Sequence, residues 1–484
     1  MSEAATPFPP RYRWLKRGLA IGACVLLALA ALRWWWGREA QRRVDAVIAD
    51  ARARGEPILP EDFPSSPLIP DSENAAVTYL RAAAAVKMTT PARDWEGSYQ
   101  EPATASDFAM MQQIEADNSA ALALARIARG QNHVNWGAPA SPFLPPPIKP
   151  RLGQLRGLAR VLSYSARSEF AAGHDIKGIE LLRDMIAEGR AINARPNSLI
   201  TSLVGIGVGN AGSQVAIDLS PSLHDGMAAD ARSSVAVPMR ELIDDLLDER
   251  GLNSSIVSGL YLEAGSALSA GQSGVGADQS GGPRALVLPV DWLLQPVWAM
   301  RECEVTSGIL GGARAMVLPN LPSASAMPRV TTPTDTLGES ELETLSRVLG
   351  GAAFYPGRHF LRVKFVAVCD RRAAAIMLAL RLYQFDHRDA LPEKLSALVP
   401  NYLAALPADP MRADSGTFCY LPHARPPIIY SVGLNGKDDA GSAAVAGTAS
   451  SGSRWNCLDA DYQLTSTSAR SPATAPSTQA QDDN

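Results

Sequence analysis

The stretch LGQLRGLARVLSYSARSEFAAGHDIKGIELLRDMIAEGRAIN, residues 152–193, decides the fold class. Leu155, Leu158, Leu162, Ala166 and Phe170 recur at steps of three and four, the spacing of one face of an α-helix. Gly173-His174-Asp175 breaks the pattern, and Ile179, Leu182, Met185, Ile186 and Gly189 then mark the apolar side of a second helix. The small residues Ala166, Gly173 and Gly178 should let the two helices approach closely as an antiparallel pair.

This pair is similar to a tetratricopeptide hairpin. No second copy follows, and repeat arrays need about three units, so the chain reads as a helical domain containing one such hairpin. Ser198–Ile217 is an uncharged run of 20 residues, polar enough to be a buried soluble helix rather than a second membrane pass. Within it, Gly207, Gly209 and Gly212 match GxGxxG. A dinucleotide loop needs a strand before it and an exposed helix start after it. Helical pattern surrounds these glycines, so packing against a neighbouring helix explains them better.

Further helices are expected over 74–87, 106–129, 239–268, 291–310, 339–348 and 361–385. Glu241, Asp244, Asp245, Asp248 and Glu249 form an acidic group expected to be a solvated face. Proline-rich connections at 57–70 and 139–150, a Gly/Ser-rich loop at 271–282 and a connection at 319–336 separate the helical stretches.

At the other end of the chain, Gly18–Leu32 reads GLAIGACVLLALAAL, fifteen residues without a charge. Extended to Trp36 the segment has 19 residues, enough at about 1.5 Å each to cross roughly 30 Å of hydrocarbon. Trp34, Trp35 and Trp36 supply an interfacial anchor at one end and Trp14 at the other, while Arg33 can snorkel to the headgroups. Ala28-Leu29-Ala30 would serve as a signal-peptide cleavage site, but the tryptophans and the Arg-rich helix beyond favour a retained signal anchor. Arg11, Arg13, Lys16 and Arg17 balance Arg33, Arg38, Arg42 and Arg43, so charge does not fix the orientation. A short inner tail with the bulk exported is the simplest topology. Residues 38–55, with Val44, Val47 and Ile48 on one side, should continue the membrane helix as a stalk.

Cys24 falls in the apolar segment; Cys303, Cys369, Cys419 and Cys457 lie beyond it. That even number allows two disulfides in an oxidising compartment, and equally four unpaired thiols.

The C-terminal stretch 380–441 contains Tyr383, Leu391-Pro392, Leu395 and Leu398; then Pro407, Asp409, Pro410 and Tyr420; then Tyr430-Ser431-Val432-Gly433 with Asn435-Gly436-Lys437. Cys419–Leu421 and Ile428–Val432 are strand-like, and Asn435-Gly436 is a turn signal. In this order the motifs resemble the C-terminal region of the major pseudopilin of type II secretion systems. The anchor, the segment ARARGEPILPEDF followed by IPDSENAA, and this C-terminus together resemble a group of uncharacterised bacterial membrane-anchored proteins. The pseudopilin resemblance implies a small α+β module and a calcium site in the loop after the YSVG motif. Asn435, Asp438 and Asp439 are the candidate calcium ligands by position, with Asp459 or Asp461 as further donors. An exposed hairpin turn accounts for the same residues without a metal. The apolar segment from Gly18 onward has no Glu where a pseudopilin carries one, and a 14-residue Gly/Ala/Ser insertion, 440–453, enters the loop.

These readings combine into a mainly α protein. Its expected parts are an inner tail (1–17), a single-pass transmembrane helix (18–36), a stalk and helical/Pro-rich region (37–150), a helical domain (151–360), a pseudopilin-like module (361–463) and a disordered tail (464–484). The chain has 484 residues with 46% hydrophobic side chains, which excludes wholesale disorder, and a net charge of −4, which gives no electrostatic footprint for nucleic acid. Its mean hydropathy of −0.04 averages the apolar segment against polar ones. No HExxH, P-loop or GxSxG motif is present, and His133, His174, His224, His359, His387 and His423 are scattered. Asp386-His387 beside Asp389 reads as a structural turn at a helix end. The expected role is therefore a non-enzymatic, inner-membrane-anchored envelope protein with structural or protein-binding duties. The alternatives are an accessory of a type II secretion or pilus-like system and an envelope hydrolase without a recognisable motif.

Overall fold

The computed structural model describes residues 12–63, 69–99, 103–136, 151–194, 199–223, 229–273, 288–321, 358–445 and 453–465. The expected helix at 339–348, the loop 139–150 and the tail beyond residue 465 lie outside the described residues, as do parts of the other connections. The architecture is mainly helical with one small antiparallel sheet. Two compact units are distinguished: Met1–Asp62 with Glu263–Leu310 and Arg329–Tyr355, and Phe63–Leu262 with Gly311–Pro328 and Pro356–Asn484.

In the first unit, the apolar segment and the stalk form one helix, α1 (Arg13–Ala53). Its most apolar window has a mean hydropathy of 1.9 and none of it is buried, so this helix is long and apolar enough to cross a membrane. Further along, Ala40, Val44 and Ala51 become a buried stripe, with Val47 and Ile48 only half-buried.

The second unit holds α2 (Ala75–Ala85), α3 (Thr90–Ser98), α4 (Ala105–Asp117), α5 (Ser119–Arg129), α6 (Leu152–Ala171), α7 (Asp175–Asn193), α8 (Leu199–Leu219) and α9 (Ala229–Leu247). The helices α10 (Arg250–Ser273) and α11 (Leu288–Met316) each contribute to both units. Next comes α12 (Arg358–Asp386), then strands β1 (Cys419–Leu421), β2 (Ile428–Ser431) and β3 (Ala460–Gln463), paired in the order β1-β2-β3. The expected single helix over 106–129 is two, because Asn118 ends α4 and turns its side chain to the backbone of Lys87 and Ile114. The expected helix over 239–268 likewise breaks, at Asp248-Glu249.

α7 and α8 form the centre. α6 lies against α7, α2 packs on α5, and α12 covers α8 and α9. The helices α7 and α8 meet backbone to backbone. A Cβ added at Gly189 would sit 2.7 Å from the nitrogen of Gly209 and 2.8 Å from the carbonyl oxygen of Gly205. Gly212 lies against Ile186 and Met185, whereas Gly207 faces open space. The GxGxxG match is thus helix interior, with two of its glycines in the α7–α8 contact. In the first turn of α7, Gly178 lies against the Phe170 ring of α6. Gly173 acts through its backbone instead, because its φ of +80° makes the left-handed turn between α6 and α7, which favours glycine.

The acidic group at the end of α9 and the break after it is largely ion-paired rather than simply solvated. Asp245 pairs with Arg183 and Arg190, Glu241 with Arg183, Asp248 with Arg190 and Arg250, and Glu249 with Arg372. Arg371 of α12 is buried and donates to the carbonyls of Asp245, Leu246 and Asp248, at 2.8 to 3.1 Å. It satisfies carbonyls that the end of α9 would otherwise leave unpaired. Of the five, only Asp244 is an exposed carboxylate without such a partner among the described residues. The five cysteines are unpaired: Cys303 and Cys369 are buried, Cys419 and Cys457 half-buried, and Cys24 exposed.

Candidate functional site

Two motif segments of the C-terminal stretch, the proline turn and the end of the YSVG strand, meet at Asp409. Its carboxylate is fully buried and accepts hydrogen bonds from the backbone N–H of Met411 (2.9 Å), the Ser431 hydroxyl (2.9 Å) and the backbone N–H of Val432 (3.0 Å). The Pro407–Pro410 turn is thereby fastened to the end of β2. Burial pushes the Asp409 carboxyl upward, more than these donors and Arg412 pull it down. Immediately after, Gly433 has a φ of +67° and its missing Cβ leaves room for the Leu458 carbonyl.

A second buried carboxyl, Asp370 of α12, ties the sheet to the helices. It accepts from the Tyr462 hydroxyl at 3.0 Å, the Trp455 indole at 3.3 Å and the Gln214 amide at 2.6 Å. Burial raises it to about 6 despite Arg454 and these donors. The turn at Asp386-His387-Asp389 is structural: Asp386 accepts from the Tyr402 hydroxyl, the His387 ring stacks on Tyr383, and Asp389 pairs with Arg232.

The three residues expected as calcium ligands share one loop, where Asn435 and Asp439 bond to each other and Asp438 bonds elsewhere. Asn435 donates to Asp439 (2.7 Å) and accepts from the backbone of Lys437. Asp438 accepts from the Tyr430 hydroxyl (3.0 Å) and the Ala440 backbone, which, set against slight desolvation, keep its carboxyl low. Asp459 is fully buried and accepts from the backbone N–H groups of Asp439, Gly441 and Ser442. Asp461 is in β3, opposite Tyr430. Among the described residues, no group of three His, Cys, Asp or Glu side chains is arranged to hold a metal ion.

Two titratable clusters lie in the helical body, and neither is visible as a sequence motif. Glu115 of α4 meets Glu169 of α6, which also accepts from His174 (2.6 Å) and Lys177 (3.1 Å). Burial, together with the neighbouring Glu169, raises Glu115 to about 7, while burial of Glu169 is outweighed by hydrogen bonds from Glu115, Lys177 and His174, which hold it low. In the other cluster, Asp184 of α7 is buried and bound by Arg126 and Arg129. Burial still raises Asp184 to about 6. One turn along α7, Glu188 is completely buried. Among the described residues neither of its carboxyl oxygens has a hydrogen-bond partner, nor does the nearby Tyr79 hydroxyl.

Burial alone pushes the Glu188 carboxyl far above its usual range, so it is held neutral. Above about pH 4.3 the unfolded chain loses this proton while the folded chain keeps it, so this group weakens folding as the pH rises. Glu188→Met is therefore expected to raise the apparent Tm at pH 7–8, by an amount corresponding to about 1–3 kcal/mol for an unpaired buried polar group. The gain should shrink towards pH 4. A variant less stable than wild type at pH 8 would show that the carboxyl has a partner there.

Neither a protein-family model, nor a curated protein, nor a solved structure matches this chain.

Proposed function

We propose that this chain is a membrane-anchored cell-envelope protein in which a large helical body and a small C-terminal module present surfaces to other proteins. The observation that carries the reading is the uncovered apolar part of α1, where Leu19, Ile21, Leu26 and Leu27 are all about two-thirds exposed. A continuous apolar surface of this kind marks an interaction site, and its length suits a bilayer. By contrast, α8 passes the same length and composition test with 61% of its window buried, as a core helix does. Full-length protein is expected to sediment with membranes and resist alkaline carbonate, whereas a chain lacking residues 1–36 should be released. Extraction of the full chain by carbonate or salt alone would contradict an integral anchor.

A narrower reading makes the protein an accessory of a type II secretion or pilus-like system, with the bulk of the chain outside the inner membrane. Its support is the meeting of the motif residues, with Asp409 of the proline turn bonded to Ser431 and Val432 of the YSVG strand. The α6–α7 pair as a lone tetratricopeptide-like hairpin belongs to the same reading. Co-purification with secretion components in mild detergent supports it, and recovery without them counts against it. A calcium ion at Asn435, Asp438 and Asp439 requires Asn435 and Asp439 to give up their mutual hydrogen bond. A calcium-dependent rise in Tm, lost on Asp438→Ala with Asp439→Ala, supports the ion; an unchanged Tm removes it.

A further inference from the structure

Within the first unit, α1 and α11 leave a groove of about 440 Å³ between them. That is in the roughly 300–1,000 Å³ range of small-molecule sites. Its walls are Arg33, Gln41 and Gln295 on the polar side, with Gly37, Ala40 and Val44 as apolar floor. The Arg33 guanidinium donates to the Gln295 side chain at 2.8 Å, which holds it at the groove. Gln41 is steadied by Asp45.

The groove has a defined height on the helix. It begins at Arg33, where the apolar segment ends, and runs three turns to Val44, about 16 Å of helix rise. Trp34, Trp35 and Trp36 stand at its start, the depth at which such rings sit among headgroups. Residues 33–45 carry four arginines against two carboxylates, and Glu39 is paired with Arg42 and Arg43. Neither carboxylate lines the groove.

We propose that this groove holds the phosphate and glycerol of an anionic phospholipid from the surrounding leaflet, with the phosphate at Arg33, whose guanidinium lies over Gly37, and the glycerol region over Ala40 and Val44. The proposal rests on the anchor reading, because only an embedded α1 brings the groove to headgroup depth. It assigns to the anchor a lipid preference beyond simple insertion. Arg33 supplies the charge-assisted hydrogen bonds that a phosphate accepts, while the side chain at position 40 sets the depth of the floor.

Full-length protein reconstituted in phosphatidylcholine bilayers tests this, with brominated phosphatidylglycerol or brominated phosphatidylcholine added at equal mole fraction. Tryptophan quenching reports lipid at the level of the groove, since Trp34, Trp35 and Trp36 follow Arg33 directly on α1, with Trp34 and Trp36 on its flanks. Wild type is expected to favour phosphatidylglycerol by about fivefold, the scale of one basic residue at an anionic surface. Arg33→Gln and Ala40→Leu should each bring the ratio close to one, the first by removing the cation and the second by filling the floor. Embedded wild type with no preference overturns the proposal and leaves the anchor standing. A preference that survives both substitutions assigns it to the diffuse charge of the neighbouring arginines and also overturns the groove. Protein that stays in the aqueous fraction removes the anchor reading and the proposal together.

Discussion

Gly189→Val is expected to lower the apparent Tm of the helical body strongly. The α7–α8 contact has backbone on both sides at this point, with the Gly209 nitrogen and Gly205 carbonyl where a Cβ would go. No side chain there can rotate away, so the helices must separate. Overpacking in a filled core costs about 1–3 kcal/mol per added group or two, and a branched side chain against backbone belongs at or above the top of that range. Gly207→Ala is the matched control on the same glycine motif, because its Cβ meets nothing within 4 Å. It should be neutral or stabilise by up to about 1 kcal/mol through helix propensity. Thermal melts of the two variants beside wild type separate packing glycines from merely exposed ones. Equal melting of Gly189→Val and wild type would mean that α7 and α8 do not touch there.

Asp409→Ala is expected to loosen the C-terminal module while leaving α6–α8 intact. The substitution strands two backbone N–H groups and a hydroxyl in a buried position. Each unsatisfied buried group costs about 1–3 kcal/mol, so a loss of about 3–5 kcal/mol is expected after relaxation. Hydrogen exchange should quicken across β1, β2 and the 432–445 loop and stay unchanged in α7. Asp409→Asn keeps the shape but offers an amide N–H to one of these donors, so it should fall between Ala and wild type. Unaltered protection in Asp409→Ala would show that the turn and the strand hold together without this carboxyl.

Much of the helical body could be read from the sequence because its signals are local. The steps from Leu155 to Phe170 and from Ile179 to Gly189 are face patterns that survive in α6 and α7. The continuity of α1 and the strands at Cys419–Leu421 and Ile428–Ser431 follow for the same reason. What escaped depends on partners distant in the chain. The acidic residues 241–249 look solvated in sequence, yet most of their arginines come from α7 and α12, as far as 123 residues away. The break at Asn118 carries no Gly or Pro; it is fixed by a bond to Lys87. β3 is short, its sequence ADYQ alternates charge with apolar groups, and the 440–453 insertion separates it from β2. Glu188 gives no warning at all, since a lone Glu on a helix is ordinarily a surface residue. Of the candidate ligands, position placed Asn435, Asp438 and Asp439 in one loop, but their hydrogen-bond partners were not readable.

Reactivity of Cys24 tests the membrane anchor most directly, because this thiol lies on the uncovered apolar face of α1 and is exposed in the protein alone. Open membrane fragments containing the full chain are treated with a membrane-impermeant maleimide, and labelling is read residue by residue by mass spectrometry. Half-buried Cys419 serves as the internal reference. With α1 in the bilayer, Cys24 stays unlabelled while Cys419 reacts, and Cys24 labels only after the membrane is dissolved and the chain denatured. Labelling of Cys24 at least as fast as Cys419 in untreated membranes would place the helix in water and contradict the anchor.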